Sequence, residues 1–192
     1  MGALCAYARE GDEWVFYEID AAVERLAREP TWFTFWRDCR TERRAVVRGD
    51  ARLRLAESPD RHWGMVVIDA FSSDAVPVHL VTREAIDLYL RKTTVDAWLV
   101  FHVSSRYLDL PAVLAALTRD TGLVGYARDD LVLTPEERDT GKDPSRWVVL
   151  ARTRSDLGGL AADPRWRPLR ADPQRRAWTD DFSDPWSIIR AD

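Results

Sequence analysis

The run from Trp63 to Ile68 (Trp-Gly-Met-Val-Val-Ile) carries no charge and ends abruptly at Asp69. An almost wholly apolar run of this length suits a strand buried on both faces, as parallel sheets require. Similar runs recur at Trp14 to Ile19, Arg44 to Val47, Ala97 to Val103, Leu123 to Ala127 and Trp147 to Ala151. Helical stretches separate them. Residues 3–10 read as a short helix. Asp20 can cap a helix reaching Arg28, with Ala22, Val23, Leu26 and Ala27 on one face and Glu29-Pro30 as its stop. Further helices are expected over 51–57, over 82–92 and from Asp109-Leu110-Pro111 onward. The segment 31–36 is aromatic and ambiguous. The polar segment 134–145 reads as a loop, and 186–189 as a short strand or helix. Strands alternating with helices predict an α/β fold, with a mostly parallel sheet and helices on both faces. No repeat or linker divides the chain, so residues 1–192 are expected to form a single domain.

Composition narrows the function classes. Over 192 residues, 46% apolar and 31% charged content belongs to a globular chain with a real core. The longest apolar runs fall far short of the ~20 residues that span a bilayer. No basic-then-apolar leader is visible at the start. Two cysteines, Cys5 and Cys39, argue against a disulfide framework, and a cytoplasmic location follows by default. The net charge is −4, and basic pairs such as Arg43-Arg44 and Arg175-Arg176 are isolated. A nucleic-acid binder would show a basic stripe, so no nucleic-acid partner is expected.

In open α/β sheets, ligands sit at the carboxyl ends of strands. Glu18, Asp50 and Asp69 all fall at such ends. Glu18 lies 16 residues after Gly2, near the ~20-residue spacing at which an acid grips a ribose. A carboxylate can accept hydrogen bonds from both ribose hydroxyls. The alternative is that Glu18 or Asp20 caps the following helix. The stretch Asp69-Ala-Phe-Ser-Ser-Asp-Ala-Val-Pro77 sets two carboxylates around two hydroxyls and an aromatic. That set can hold a cationic amine and keep one nitrogen deprotonated, or it can form Asx and Ser turns with a helix cap. His79 and His102 could serve as a base, and His102, at a strand end, should border a pocket. No Cys or His spacing matches a zinc site, so no metal is expected. The nine tryptophans read mainly as core.

The ordered series Phe16-Tyr-Glu-Ile-Asp20, Gly49-Asp-Ala-Arg52, Asp69-Ala-Phe-Ser-Ser-Asp74, Pro77-Val-His-Leu80, Thr82-Arg-Glu-Ala85, His102-Val-Ser104 and Trp178-Thr-Asp-Asp181 resembles the spermidine synthase-like (polyamine aminopropyltransferase-like) family. The likeness is to its bacterial branch, often fused to major-facilitator-type transporter segments, and it runs from Gly2 to Ile189. It implies a class I S-adenosylmethionine-methyltransferase-like Rossmann fold. It also implies decarboxylated S-adenosylmethionine, or S-adenosylmethionine itself, as co-substrate, with a small-molecule polyamine or other amine as acceptor. By position, Gly2, Glu18, Ile19, Asp20, Asp50, Ala51, Asp69 and Ala70 would line the nucleoside site, with Glu18 on the ribose and Asp50 and Ala51 beside the adenine. Asp69 and Asp74 would be the catalytic acids. Asp74, His79, His102, Asp180 and Asp181 would contact the amine.

Two departures from that family pattern stand out. Its second aspartate usually comes three residues after the first and precedes proline, whereas Asp74 comes five after Asp69 and precedes Ala75. Met1-Gly-Ala-Leu matches only the tail of the family's glycine loop, with Gly2 as its last glycine, so the first strand and most of that loop are expected to be missing. A misassigned start, a strand supplied by another chain, or a decayed remnant would each account for this. The resemblance and an unpaired sheet edge both favour a homodimer. Three readings stay open: an aminopropyltransferase-like enzyme, an S-adenosylmethionine-dependent methyltransferase, and a non-catalytic binding module or remnant.

Overall fold

The computed structural model describes residues 2–71, 77–105 and 107–190. They form two compact units, residues 2–58 and 59–190.

The first unit begins with a 3₁₀ turn, Ala3–Tyr7. Strand β1 (Trp14–Glu18) follows, then helix α1 (Ala21–Arg28), strand β2 (Arg44–Arg48) and helix α2 (Ala51–Ala56). β1 and β2 pair in parallel, Trp14 opposite Arg44 and Glu18 opposite Arg48. The expected Asp20 cap is present, and Asp50 adds a second. Asp20 accepts from the Ala22 amide at 2.7 Å and Asp50 from the Leu53 amide at 3.0 Å, each covering a donor that a helix start leaves unpaired. The apolar face expected of α1 is only partly covered: Ala27 is buried, while Val23 and Leu26 remain exposed. Segment 31–36 settles into turns. Cys5 and Cys39 correct the cysteine expectation, since they are joined in a disulfide. With Ala8 they form a small core against Trp14 and Phe16.

The second unit holds β3 (Trp63–Ile68), α3 (Arg83–Lys92), β4 (Thr93–His102), α4 (Leu110–Thr121), β5 (Val124–Asp130), α5 (Pro135–Asp139), β6 (Ser145–Ala151) and β7 (Arg167–Pro168). The strands lie in the order β3-β4-β6-β5-β7. β3 and β4 are parallel, and β6 enters antiparallel between β4 and β5. Thus β3, β4 and β5 share one direction, joined through α3 and α4, while β6 and β7 run against them. This is the α/β class that alternating strands and helices imply.

Two expectations need correction. Among the described residues β3 has a strand partner on one side, β4, and Met65 is 47% exposed, so β3 is not buried on both faces. Segment 134–145 is not all loop. Thr134 accepts from the Glu137 amide while the Glu137 carboxylate accepts from the Thr134 amide, a reciprocal cap that starts α5.

The core of the second unit lies where α3 and α4 pack on the sheet. Leu99, Phe101, Val148 and Leu150 from the middle strands are fully buried, as are Ile86, Leu114 and Leu117 from the helices. Gly125 lets the chain pack closely there, because a Cβ would come within 2.8 Å of Leu150 Cδ2 and that methyl would have to shift. Leu150→Ala should cost roughly 2–5 kcal/mol, from lost burial plus an unfilled cavity. Met65→Ala should cost under about 1 kcal/mol. Urea unfolding of both variants checks this, and equal losses would contradict the placement of β3 at a sheet edge.

Candidate active site

In the second unit, chemistry gathers at the carboxyl end of β3 and β4. The parallel register sets Ile68 opposite Phe101, so the next residues, Asp69 and His102, emerge side by side. His102 Nδ1 lies 2.7 Å from Asp69 Oδ1. His102 Nε2 lies 2.6 Å from Ser104 Oγ. Ser104 Oγ in turn accepts from the Arg146 amide at 2.8 Å, and the Val103 amide donates to the Arg146 carbonyl. β6 therefore anchors the far end of the chain. The imidazole also stacks on Trp147 of β6, with ring centroids 4.5 Å apart and planes 21° apart.

One tautomer satisfies every contact. Ser104, already accepting from the amide, can give its hydroxyl proton to Nε2, and the Nδ1 proton then goes to Asp69. The carboxylate is held charged. The His102 hydrogen bond lowers the Asp69 pKa, and partial burial opposes that only in part. The arrangement offers an ionised, oriented oxygen at a strand end, suited to receiving a cation.

The remaining amine-side expectations fare differently. Ala70 is exposed beside Asp69. Asp74 lies outside the described residues. His79 is exposed in the 3₁₀ turn Val78–Leu80. Asp180 works within the fold: its Oδ1 accepts from the Thr82 hydroxyl at 2.7 Å, while the Glu84 carboxylate accepts from its amide. Together with Arg83 donating to the Trp178 carbonyl, this ties the tail to the start of α3. Asp181 is exposed. Ser104 and Trp147 were missing from the expected site. Ser104 could have been found, because positions i and i+2 of an extended segment share a face.

In the first unit, Gly2, Glu18, Ile19, Asp20, Asp50 and Ala51 occupy strand ends and helix starts. Gly2 has φ 99°, and a Cβ there would lie 3.3 Å from that of Phe35. Glu18 Oε1 accepts from the Asp20 amide at 2.9 Å. Glu18 and Asp20 thus perform the local capping that was their alternative role, and Asp50 caps α2, a role not expected of it. Ile19 is exposed, and Ala51 opens α2. The Gly49 amide donates to the Glu18 carbonyl, linking the two strand ends. Gly49 sits at φ 133°, where a Cβ would fall 2.7 Å from Arg54 Nε.

Among the described residues, no group of three or more His, Cys, Asp or Glu side chains could hold a metal ion. No described helix is long and apolar enough to cross a membrane.

No family model matches the chain, and no curated protein matches it. Solved structures do. A probable spermidine synthase from Corynebacterium glutamicum matches with TM-score 0.57 at 15% identity, over 88% of this chain and 64% of that one. A spermidine synthase from Thermotoga maritima matches with TM-score 0.55 at 12% identity, over 83% of this chain and 53% of that one. The chain therefore has a spermidine synthase-like fold, of the class I Rossmann-like kind, and spans between about half and two thirds of the length of these proteins.

The Asp69 pairing has a pH signature. A carboxyl whose pKa is lower folded than unfolded adds stability above about pH 4, and loses that contribution as pH falls through the folded value. Going from about pH 6 to about pH 3 should therefore destabilise the wild type more than Asp69→Asn. Urea midpoints at both values check this, and equal losses would contradict the pairing.

Proposed function

We propose that this chain is a transferase of the aminopropyltransferase type, moving an aminopropyl group from decarboxylated S-adenosylmethionine to a polyamine-type amine. The observation that carries the reading is the ionised Asp69 carboxylate, fixed by His102 at the end of β3. The spermidine synthase-like fold supports it, since open α/β sheets take ligands at the carboxyl ends of their strands.

In this reading Asp69 accepts hydrogen bonds from the attacking amine and takes its proton, since an ammonium has no lone pair to attack with. The freed nitrogen bonds to the carbon beside the sulfonium. The carbon–sulfur bond breaks, its electron pair stays on sulfur, and methylthioadenosine leaves. Orientation supplies much of the rate, because the two reactants meet in fixed geometry. Glu18 takes the ribose hydroxyls with the oxygen that does not cap Asp20, and Asp50 and Ala51 border the adenine. Gly2, Ile19, Asp20 and Ala70 complete the nucleoside contacts. The far end of the amine falls to Asp74, His79, Asp180 and Asp181. We assign all of residues 1–192 to this one spermidine synthase-like domain.

Calorimetric titration of the chain with methylthioadenosine, decarboxylated S-adenosylmethionine and S-adenosylmethionine tests the nucleoside half. The expected result is micromolar binding of the first two, lost in Glu18→Ala while the variant still shows a cooperative thermal transition. A preference for S-adenosylmethionine over its decarboxylated form would instead favour a methyltransferase. No binding by a folded chain would contradict the proposal.

A further inference from the structure

His102 was expected to touch the amine, but both of its ring nitrogens are already engaged, Nδ1 with Asp69 at 2.7 Å and Nε2 with Ser104 at 2.6 Å. A ring so occupied has no nitrogen left to present to a ligand without breaking a bond. What it can do is act on Asp69. From these contacts we infer that His102 is a positioning residue. It acts through Asp69, donating an Nδ1–H hydrogen bond to one carboxylate oxygen so that the other is aimed at the ammonium of a primary amine. Ser104 and Trp147 set the ring that does this.

An aspartate at a strand end has two torsions to fix, and an exposed one would sample several rotamers. Asp69 has a side chain 54% exposed, so packing alone does not hold it. A hydrogen bond to a charged acceptor is stronger than a neutral one and gives one oxygen a set direction. That bond has value only if the imidazole is itself immobile. Stacking on Trp147 fixes its plane, and Ser104 fixes its other nitrogen. The ionised Asp69 carboxylate can only accept, so in a neutral ring the proton lies on Nδ1 and the bare Nε2 takes the Ser104 hydroxyl hydrogen bond, while the Arg146 amide donates to the Ser104 oxygen. The polarity of these contacts, from a β6 backbone amide to the Asp69 carboxylate, is therefore set at the carboxylate end. Second-tier partners of this kind orient reactive groups without touching substrate.

The consequence for the amine rests on the proposed function, whereas the tautomer does not. Two measurements on the full chain separate them. With ¹⁵N-labelled histidine, the His102 ring is identified by the signals missing in His102→Gln. It should carry its proton on Nδ1 at neutral pH, with Nε2 bare. A proton on Nε2 instead would overturn the inference. Calorimetry with 1,4-diaminobutane should then show His102→Leu weakened about tenfold or more, as expected for losing a hydrogen bond to a charged group. His102→Asn should be restored to within about threefold, because its side-chain amide can still donate to Asp69. A merely structural role predicts no such rescue. Folding of each variant is read from its thermal transition. Leu and Asn variants that are folded and bind alike would overturn the inference. A wild-type chain that binds no diamine would contradict the amine reading; an Nδ1 proton would then still sustain the coupling of ring to carboxylate, and an Nε2 proton would overturn it.

Discussion

The register of β3 against β4 governs everything that follows at the candidate site. With Ile68 opposite Phe101, the first residues past the ladder are Asp69 and His102, and they meet. A slip of one residue would turn His102 to the other face of the sheet and leave Asp69 without its partner. The register is held by burial: Ile68 and Phe101 are in the core, with Leu99 and the β6 residues Val148 and Leu150. Packing fixes the pairing, the pairing places the acid, and the acid's hydrogen bond keeps it charged. The antiparallel insertion of β6 adds the second half of the arrangement, since it brings Trp147 against the ring and the Arg146 amide to Ser104.

Much of this fold can be read along the chain because its local signals agree. Thr82 before α3, Asp50 before α2 and Asp20 before α1 are each helix-capping residues in the sequence and helix caps in the structure. α5 carries an equally clear signal, Thr134-Pro-Glu-Glu137, and was hidden only by the Pro, Gly and Asp around it. The burial of β3 was not readable. An apolar run reports what a strand tolerates, whereas the number of its neighbours is a property of the sheet. The cysteine count likewise says nothing of which side chains meet, and Cys5 meets Cys39 across 34 positions.

At the site, residue type was readable and partnership was not. Acids at strand ends could be picked out from position alone. Asp69 and His102 stand 33 residues apart, and only the tertiary register joins them. The same limit explains Glu18, Asp20 and Asp50. Glu18 and Asp20 could each have served a ligand or a helix start, Asp50 was read as a ligand residue, and the structure shows a carboxylate oxygen of each accepting a backbone amide at a helix start. These roles are compatible, since a carboxylate has a second oxygen. The amine chemistry proposed for Asp69 makes stricter demands. It needs a group that is ionised, oriented and reachable, and the His102–Ser104–Arg146 chain supplies the first two while partial exposure supplies the third.

The central claim is that the chain transfers an aminopropyl group. The most direct measurement is mass-spectrometric detection of methylthioadenosine and the elongated amine, after incubating the purified chain with decarboxylated S-adenosylmethionine and a panel of linear diamines. The account predicts both products in equal amounts, from at least one diamine, and their loss in Asp69→Asn. A folded chain that releases neither product, or an Asp69→Asn variant that turns over like the wild type, would contradict it.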